Sequence, residues 1–189
     1  MRIVAGRHRG LVLETPADRR IRPTADRVRQ ALFDVLEHRF GIGAASPLRG
    51  AIVLDLFCGS GALGIEALSR GAARAVFLDN DPVALALTER NVRRARETAN
   101  ARFVRGPATR LGPAAEPATL AFLDPPYGTD LAARSLAALR DRGWLAADAL
   151  VVAETGDGDD FDAPPGYAAL DSRRHGRARV AILRVARPG

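Results

Sequence analysis

The sequence predicts an α/β fold with a mostly parallel sheet and helices on both faces. Three observations predict it. From residue 51 onward, short apolar runs alternate with stretches of helical periodicity. A glycine-rich loop, Gly59 to Gly64, follows the first of these runs and opens a helix. A later apolar run ends in Asp124-Pro125-Pro126-Tyr127, where two prolines without N–H groups stop regular pairing.

The elements follow in chain order. "RIVA" (2–5) and "GLVLE" (10–14) read as short strands of a hairpin around "GRHRG". Residues 15–23 form a Pro/Arg-rich loop. Thr24 is placed to N-cap a helix reaching about Phe40, with Asp26 suiting the dipole of its first turn. Val28, Leu32, Val35 and Leu36 form its apolar face. "GIGAASPLRG" (41–50) reads as a linker. "AIVLDLF" is then a buried strand and "GALGIEALSRG" a helix closed by Gly71. "RAVFL" is a strand, Asp81 to about Thr98 a helix, and "RFV" a short strand. "TLAFL" is a strand, 130–142 a helix, and "ALVVAE" a strand. The last segment offers two strands around His175-Gly176 with no helix between them. An antiparallel hairpin added at one sheet edge fits that pattern.

Composition narrows the function. No apolar run reaches the roughly 18 residues that span a bilayer. The N-terminus lacks the apolar core of a secretory signal, so a cytoplasmic protein without a membrane partner is expected. Cys58 is the only cysteine, which excludes an intrachain disulfide and a cysteine metal site. The three histidines lack metal-ligand spacing, and the acidic "DGDDFD" loop lacks the glycine and distal glutamate of a calcium loop. No metal is expected. All 28 residues counted as Lys+Arg are arginine, and five of the net six positive charges fall within residues 1–30. Charge concentrated in one segment favours a polyanionic partner, RNA or DNA.

Two motifs carry the chemistry. In "DLFCGSGALG", Gly59, Gly61 and Gly64 match G-x-G-x-x-G between a predicted strand and a helix. Glycines permit the tight turn and let a ligand approach the backbone. "FLDND" ends the next strand, with Asp79 placed for ribose hydroxyls and Asn80 beside it. A dinucleotide would need its pyrophosphate on the helix N-terminus. S-adenosylmethionine has no phosphate, and its ammonium and sulfonium favour a carboxylate at the strand end, where Asp55 stands. The loop alone favours a methyltransferase and leaves nicotinamide or flavin binding open. Cys58 reads as a small loop residue, not a nucleophile.

The turn adds a substrate class. If the first and fourth strands are neighbours, Asp124 lies near Asp55. The Asp124 side chain and the Pro125 carbonyl then offer two acceptors to an exocyclic amine. Holding both amine hydrogens would aim the nitrogen lone pair at the methyl donor. Pro126 stiffens the turn, and Tyr127 gives a face for stacking a flipped base. DNA adenine, RNA bases and protein glutamine all satisfy this chemistry. A non-catalytic nucleotide- or RNA-binding module is the further alternative.

The chain resembles the bacterial small-subunit ribosomal RNA guanine-N2 methyltransferases of the RsmD type. "MRIVAGRHRG", "IRPTADRVRQALFDVL", "DLFCGSGALGIEALSRGA" and "FLDPPYG" carry the resemblance over nearly the whole chain. It implies a Rossmann-like sheet of seven strands, S-adenosylmethionine as cofactor, and transfer to the N2 amine of one guanine in 16S-type RNA. The substrate it implies is RNA, free or within an assembling subunit. A monomer is the default expectation. Asp124, Pro125, Pro126 and Tyr127 become the catalytic turn. Asp55, Cys58, Gly59 and Gly61 become the methionine-side contacts, with Asp79 and Asn80 at the ribose. Arg7, Arg9, Arg22, Thr24 and Arg27 become the RNA contacts. Residues 1–40 are then an RNA-facing extension and 41–189 the methyltransferase domain. "GPA" (106–108) departs from the pattern, since relatives often carry a polar residue there. The Ala108 N–H is left for the adenine. His175 stands where a Tyr-Gly pair is common.

Overall fold

The computed structural model describes residues 1–16, 23–40, 46–159 and 161–186, with no side chains at 23–25. Seven strands form one sheet. They are β1 (Ile52–Leu56), β2 (Arg74–Asp79), β3 (Ala101–Arg105), β4 (Ala118–Leu123), β5 (Leu145–Gly156), β6 (Tyr167–His175) and β7 (Ala178–Val185). The helices are α1 (Pro23–Arg39), α2 (Ala62–Ser69), α3 (Pro82–Arg94) and α4 (Leu131–Asp141). The order across the sheet is β3-β2-β1-β4-β5-β7-β6. The first five strands are parallel, and β7 runs antiparallel to both β5 and β6. The expected Rossmann-like sheet with a C-terminal antiparallel hairpin is therefore present. Strand order reverses between β1 and β4, which are direct neighbours with Leu56 opposite Leu123.

β1, β4 and the later part of β5 are buried on both faces, so their apolar runs do not alternate with polar residues. Alternate side chains instead feed two cores. Val53, Phe77, Leu120, Phe122, Leu150 and Val152 face α1, α2 and α3. Leu54, Leu56, Ala121, Leu123, Val151 and Ala153 face α4 and Trp144. Tyr167 donates its hydroxyl to the Leu136 carbonyl (2.7 Å), tying β6 to α4.

The N-terminal hairpin is pared to a single antiparallel bridge, Arg2 with Val12. Ile3 and Leu13 are buried in the same core as Phe33 and Leu36 of α1. The arm is anchored chiefly by one fully buried carboxylate, Glu66 of α2. It accepts the Val4 and Ala5 N–H groups at 2.8 and 3.0 Å and pairs with Arg70 at 2.9 Å. Arg29 lies 3.6 Å from it and also pairs with Asp26 at 2.9 Å.

These anchors shift the expected face of α1. Arg29, Phe33 and Leu36 are its buried residues, whereas Val28, Leu32 and Val35 are only partly covered. The cause is Glu66, which gives an arginine a reason to be buried. Phe33 lies 5.5 Å from Phe122, with the Arg70 guanidinium 4.9 Å from its other side. The helix also begins at Pro23, a residue suited to a first turn, so Thr24 falls inside it. The expected α3 ends early, at Arg94, because Arg96 adopts a left-handed φ of 59°. A 3₁₀ turn, Thr98–Asn100, then leads into β3. The "GRHRG" tip is described in full. The basic loop at 17–22 and the linker residues 41–45 lie outside the described residues.

Candidate active site at the carboxyl edge of the sheet

Four adjacent strands of the parallel set carry an acid at or near their carboxyl ends. Asp79, Asp55, Asp124 and Glu154 stand on or just after β2, β1, β4 and β5. By the two-residue pleat, Asp55, Asp79 and Glu154 share the face of Val53, Phe77 and Val152. Asp124 continues the same parity one residue past β4. The charges on Asp124 and Asp79 both act on Asp55, so these carboxylates are close in space.

Asp55 is 2% exposed, and its Oδ2 accepts the Gly64 N–H at 2.9 Å. Burial pushes its carboxyl up to about 8; the Gly64 bond opposes the shift, and Asp124 and Asp79 add to it. Asp79 accepts the Gly59 N–H (3.1 Å) and the Asp81 N–H (3.0 Å). Asp81 in turn caps α3 through the Val83 N–H at 2.8 Å.

The three glycines of the loop do different things. A Cβ on Gly64 would fall 2.4 Å from the Phe77 ring, and one on Gly61 would fall 2.7 Å from Thr88 Cγ2. Those two glycines let α2 pack closely on β2 and α3. A Cβ on Gly59 would meet only the Phe57 carbonyl, at 3.9 Å. Gly59, with φ 54°, is thus the glycine that faces open space, as approach of a ligand to the backbone requires. Phe57, two residues before it, has φ 57°, a strained value for an aromatic residue. Cys58 is buried, and burial together with Asp55 pushes its thiol up, so it is held as a neutral thiol. Its Sγ lies 3.5 Å from Thr88 Oγ1.

The turn after β4 is more open. Pro125 is buried while Asp124, Pro126 and Tyr127 are exposed. Tyr127 donates its hydroxyl to Glu154. Thr129 donates to the Pro126 carbonyl at 2.7 Å. Among the described residues no hydrogen bond uses the Pro125 carbonyl. Asn80 is exposed at the end of β2, while Pro107 is exposed and Ala108 buried after β3.

The comparisons agree with this geometry. The family model described as "Conserved hypothetical protein 95" matches residues 1–184. The chain belongs to this family. Ribosomal RNA small subunit methyltransferase D of Escherichia coli strain K12 is 38% identical over 156 residues, covering 82% of this chain and 74% of the relative. The protein of the same name from Haemophilus influenzae is 30% identical over 181 residues, covering 93% and 89%. The solved structure of the Escherichia coli protein yhhF superposes with a TM-score of 0.82 at 31% identity, over 98% of both chains. The RsmD-type resemblance read from the motifs is borne out.

In this member of the conserved hypothetical protein 95 family, several site residues have no motif of their own. Thr88 donates to the Gly59 carbonyl at 2.9 Å. Asn91, fully buried, donates from its amide to the Ser60 carbonyl (2.9 Å) and the Glu14 carbonyl (3.0 Å). Two polar residues three apart on the buried face of α3 were the available signal. Asp159 accepts the Gly128 N–H at 3.1 Å and the Gly156 N–H at 2.7 Å, joining the turn to the end of β5. Glu154 could have been found by noting that "ALVVAE" ends on an acid, as the β1, β2 and β4 runs nearly do.

Arg7 stands away from this edge. The Arg7 N–H donates to the carbonyl of Ser69, the last residue of α2 (2.8 Å). Eight helical residues separate that point from the glycine loop, about 12 Å along the axis. Arg7 is also paired with Glu97 at 2.6 Å. Arg9 and Arg27 are exposed, Arg22 lies outside the described residues, and so does the Thr24 side chain.

Proposed function

We propose that this protein transfers a methyl group from S-adenosylmethionine to the exocyclic N2 amine of a guanine in small-subunit ribosomal RNA. One observation carries the reading: the glycine loop after β1 and the Asp124-Pro125-Pro126-Tyr127 turn after β4 are brought side by side by the register of two neighbouring strands. The names borne by the Escherichia coli and Haemophilus influenzae relatives support rRNA as the substrate. Residues 1–40 are the RNA-facing extension and 41–189 the catalytic part. The protein works as a monomer, on RNA free or within an assembling subunit.

The residues present fit the cofactor. Gly59 opens onto space, and carboxylates stand at the ends of β1 and β2. Asp79 and Asn80 would hold the ribose, Ala108 the adenine, and Asp55, Cys58, Gly59 and Gly61 the methionine side. Bound there, S-adenosylmethionine supplies an electrophilic methyl on sulfonium. The chain's own work is to orient the amine. Asp124 and the Pro125 carbonyl accept its two hydrogens, and the nitrogen lone pair is left pointing at the methyl carbon. The N–C bond would form as the donor's S–C bond breaks, its electron pair leaving on sulfur. The proton released from nitrogen passes to Asp124 or to water. Tyr127 stacks on the base, and Pro126 stiffens the turn that holds it.

Methyl transfer from labelled S-adenosylmethionine to undermodified small subunits, followed by nucleoside analysis, tests the reading. Label is expected in N2-methylguanosine; label in N6-methyladenosine would reject the guanine assignment. Asp124→Ala should keep cofactor affinity and lower turnover by on the order of a hundredfold or more. Undiminished turnover would remove Asp124 from the chemistry.

A further inference from the structure

The arginines of the hairpin tip meet a second basic segment that no motif flags. Arg7, Arg9, Arg94 and Arg96, with His8 and Asn100, line an open cleft of about 690 Å³. Its floor is Glu97, which is 3% exposed. Burial alone would raise the Glu97 carboxyl, but hydrogen bonds from His8 and Asn100 and the charge of Arg7 hold it below its ordinary value. Arg7 remains half-exposed after pairing with it. Arg9, Arg94 and Arg96 are exposed and take part in no ion pair among the described residues. Four guanidiniums against one carboxylate leave the cleft strongly positive.

Its position matters as much as its charge. α3 starts at Asp81–Pro82, on the edge that carries the glycine loop, and runs back to Arg94. Its 13 residues span about 20 Å. The cleft therefore lies at the opposite edge of the sheet, where β3 begins after Asn100. Charge at that distance does nothing for the amine or the methyl donor. Leu11 and Ala95 are its only apolar lining residues, too few to anchor a peptide side chain. Forked guanidiniums on an open surface match phosphate oxygens.

We propose that this cleft binds the phosphodiester backbone of the RNA substrate, about 20 Å from the reacting base. The proposal rests on the rRNA methyltransferase reading above. It makes the substrate a large folded RNA that engages both edges of the sheet, not a short loop presented to the catalytic edge alone.

A salt series of filter binding to purified small-subunit rRNA tests it. The variant is Arg94→Gln with Arg96→Asn, since asparagine tolerates the left-handed backbone at 96. Arg142→Gln with Arg173→Gln lowers net charge equally on other surfaces, at the end of α4 and on β6, and serves as the control. The cleft variant should flatten the log-log salt slope by about 1.5 to 2. It should raise KM for rRNA and leave turnover at saturating rRNA unchanged. A wild-type slope, or an equal change in the control, overturns the proposal. So does a loss seen with assembled subunits and absent with naked rRNA, which would mark a protein-binding face. If wild-type protein itself moves no methyl to small subunits, the proposed function fails, whatever the slopes show.

Discussion

The glycine loop and the Asp-Pro-Pro-Tyr turn lie side by side, yet they are held in opposite ways. The loop is fixed from beneath. Asp55, Thr88 and Asn91 are buried, and each bonds a backbone atom of the loop or of the helix it opens. Phe77 closes the remaining space below Gly64. The turn is fixed from outside. Ties run from it to Asp159 and Glu154, neither fully buried, and to Thr129, which is exposed. Buried ties cost a great deal to break, while solvent-reached ones cost little. The difference implies a division of labour. The cofactor side is preformed as part of the core, and the amine side can adjust around an arriving base. Substitutions in the loop should register first as lost stability, and substitutions around the turn as lost rate.

Gly64→Ala puts the largest strain on that comparison. The added methyl would sit 2.4 Å from the Phe77 ring and 3.1 Å from Asp55 Oδ2. The ring is itself stacked on Phe103, centroids 5.6 Å apart, so it has little room to yield. Overpacking of this kind costs about 1–3 kcal/mol or more. Denaturant unfolding should show that loss even without cofactor. A variant as stable as the wild type, with only its S-adenosylmethionine affinity reduced, would show that the loop is not part of the core.

The buried acid beneath the loop gives the next effect. The Asp55 carboxyl is raised in the folded protein from 3.8 to about 8. The folded state thus holds a proton that the unfolded state has released across that window. The stability this lends is complete below about pH 4 and is lost as pH rises towards 8. Asp55→Asn removes the titration, and its amide oxygen can still accept the Gly64 N–H. Other carboxylates bend both profiles alike, so the difference between variant and wild type is the readout. The variant should gain on the wild type by up to about 1.4 kcal/mol per pH unit between those limits. Parallel melting profiles would mean that Asp55 is ionised in the fold.

The same contrast explains what the sequence made legible. β1, β4 and the glycine loop were readable because doubly buried strands and a glycine-spaced turn are local patterns. Asp124 was readable because two prolines after an acid have few other uses. Arg29, Glu66, Asn91 and Asp159 were not. Each takes its role from partners far along the chain: Glu66 holds Val4 and Ala5 from 62 and 61 residues away, and Asn91 holds Glu14 from 77 away. A charged or amide side chain is buried only when such partners arrive, and no window of neighbouring residues contains them. The sign of the basic N-terminal segment was legible, but the edge of the sheet at which Arg7 stands was not, because the hairpin's docking along α2 decides it.

Asp159→Ala is the smallest change and the sharpest test of the turn. It removes the acceptor shared by the Gly128 and Gly156 N–H groups, at 3.1 and 2.7 Å. Gly128 is exposed, so water can replace that bond, but the Gly156 N–H is buried, and the stability cost should be about 1–2 kcal/mol. The rate should suffer more. Gly128 directly follows Tyr127, and a turn freed at that point can drift by a fraction of an ångström. Misplacement of a positioned group lowers turnover steeply, here by roughly tenfold. The loss should fall on turnover, with S-adenosylmethionine affinity unchanged, because Asp159 touches nothing in the glycine loop. Asp159→Asn, which keeps one carbonyl acceptor, should recover part of the rate. A fall in cofactor affinity equal to the fall in turnover would show instead that loop and turn are one rigid unit, and that the division between them is wrong.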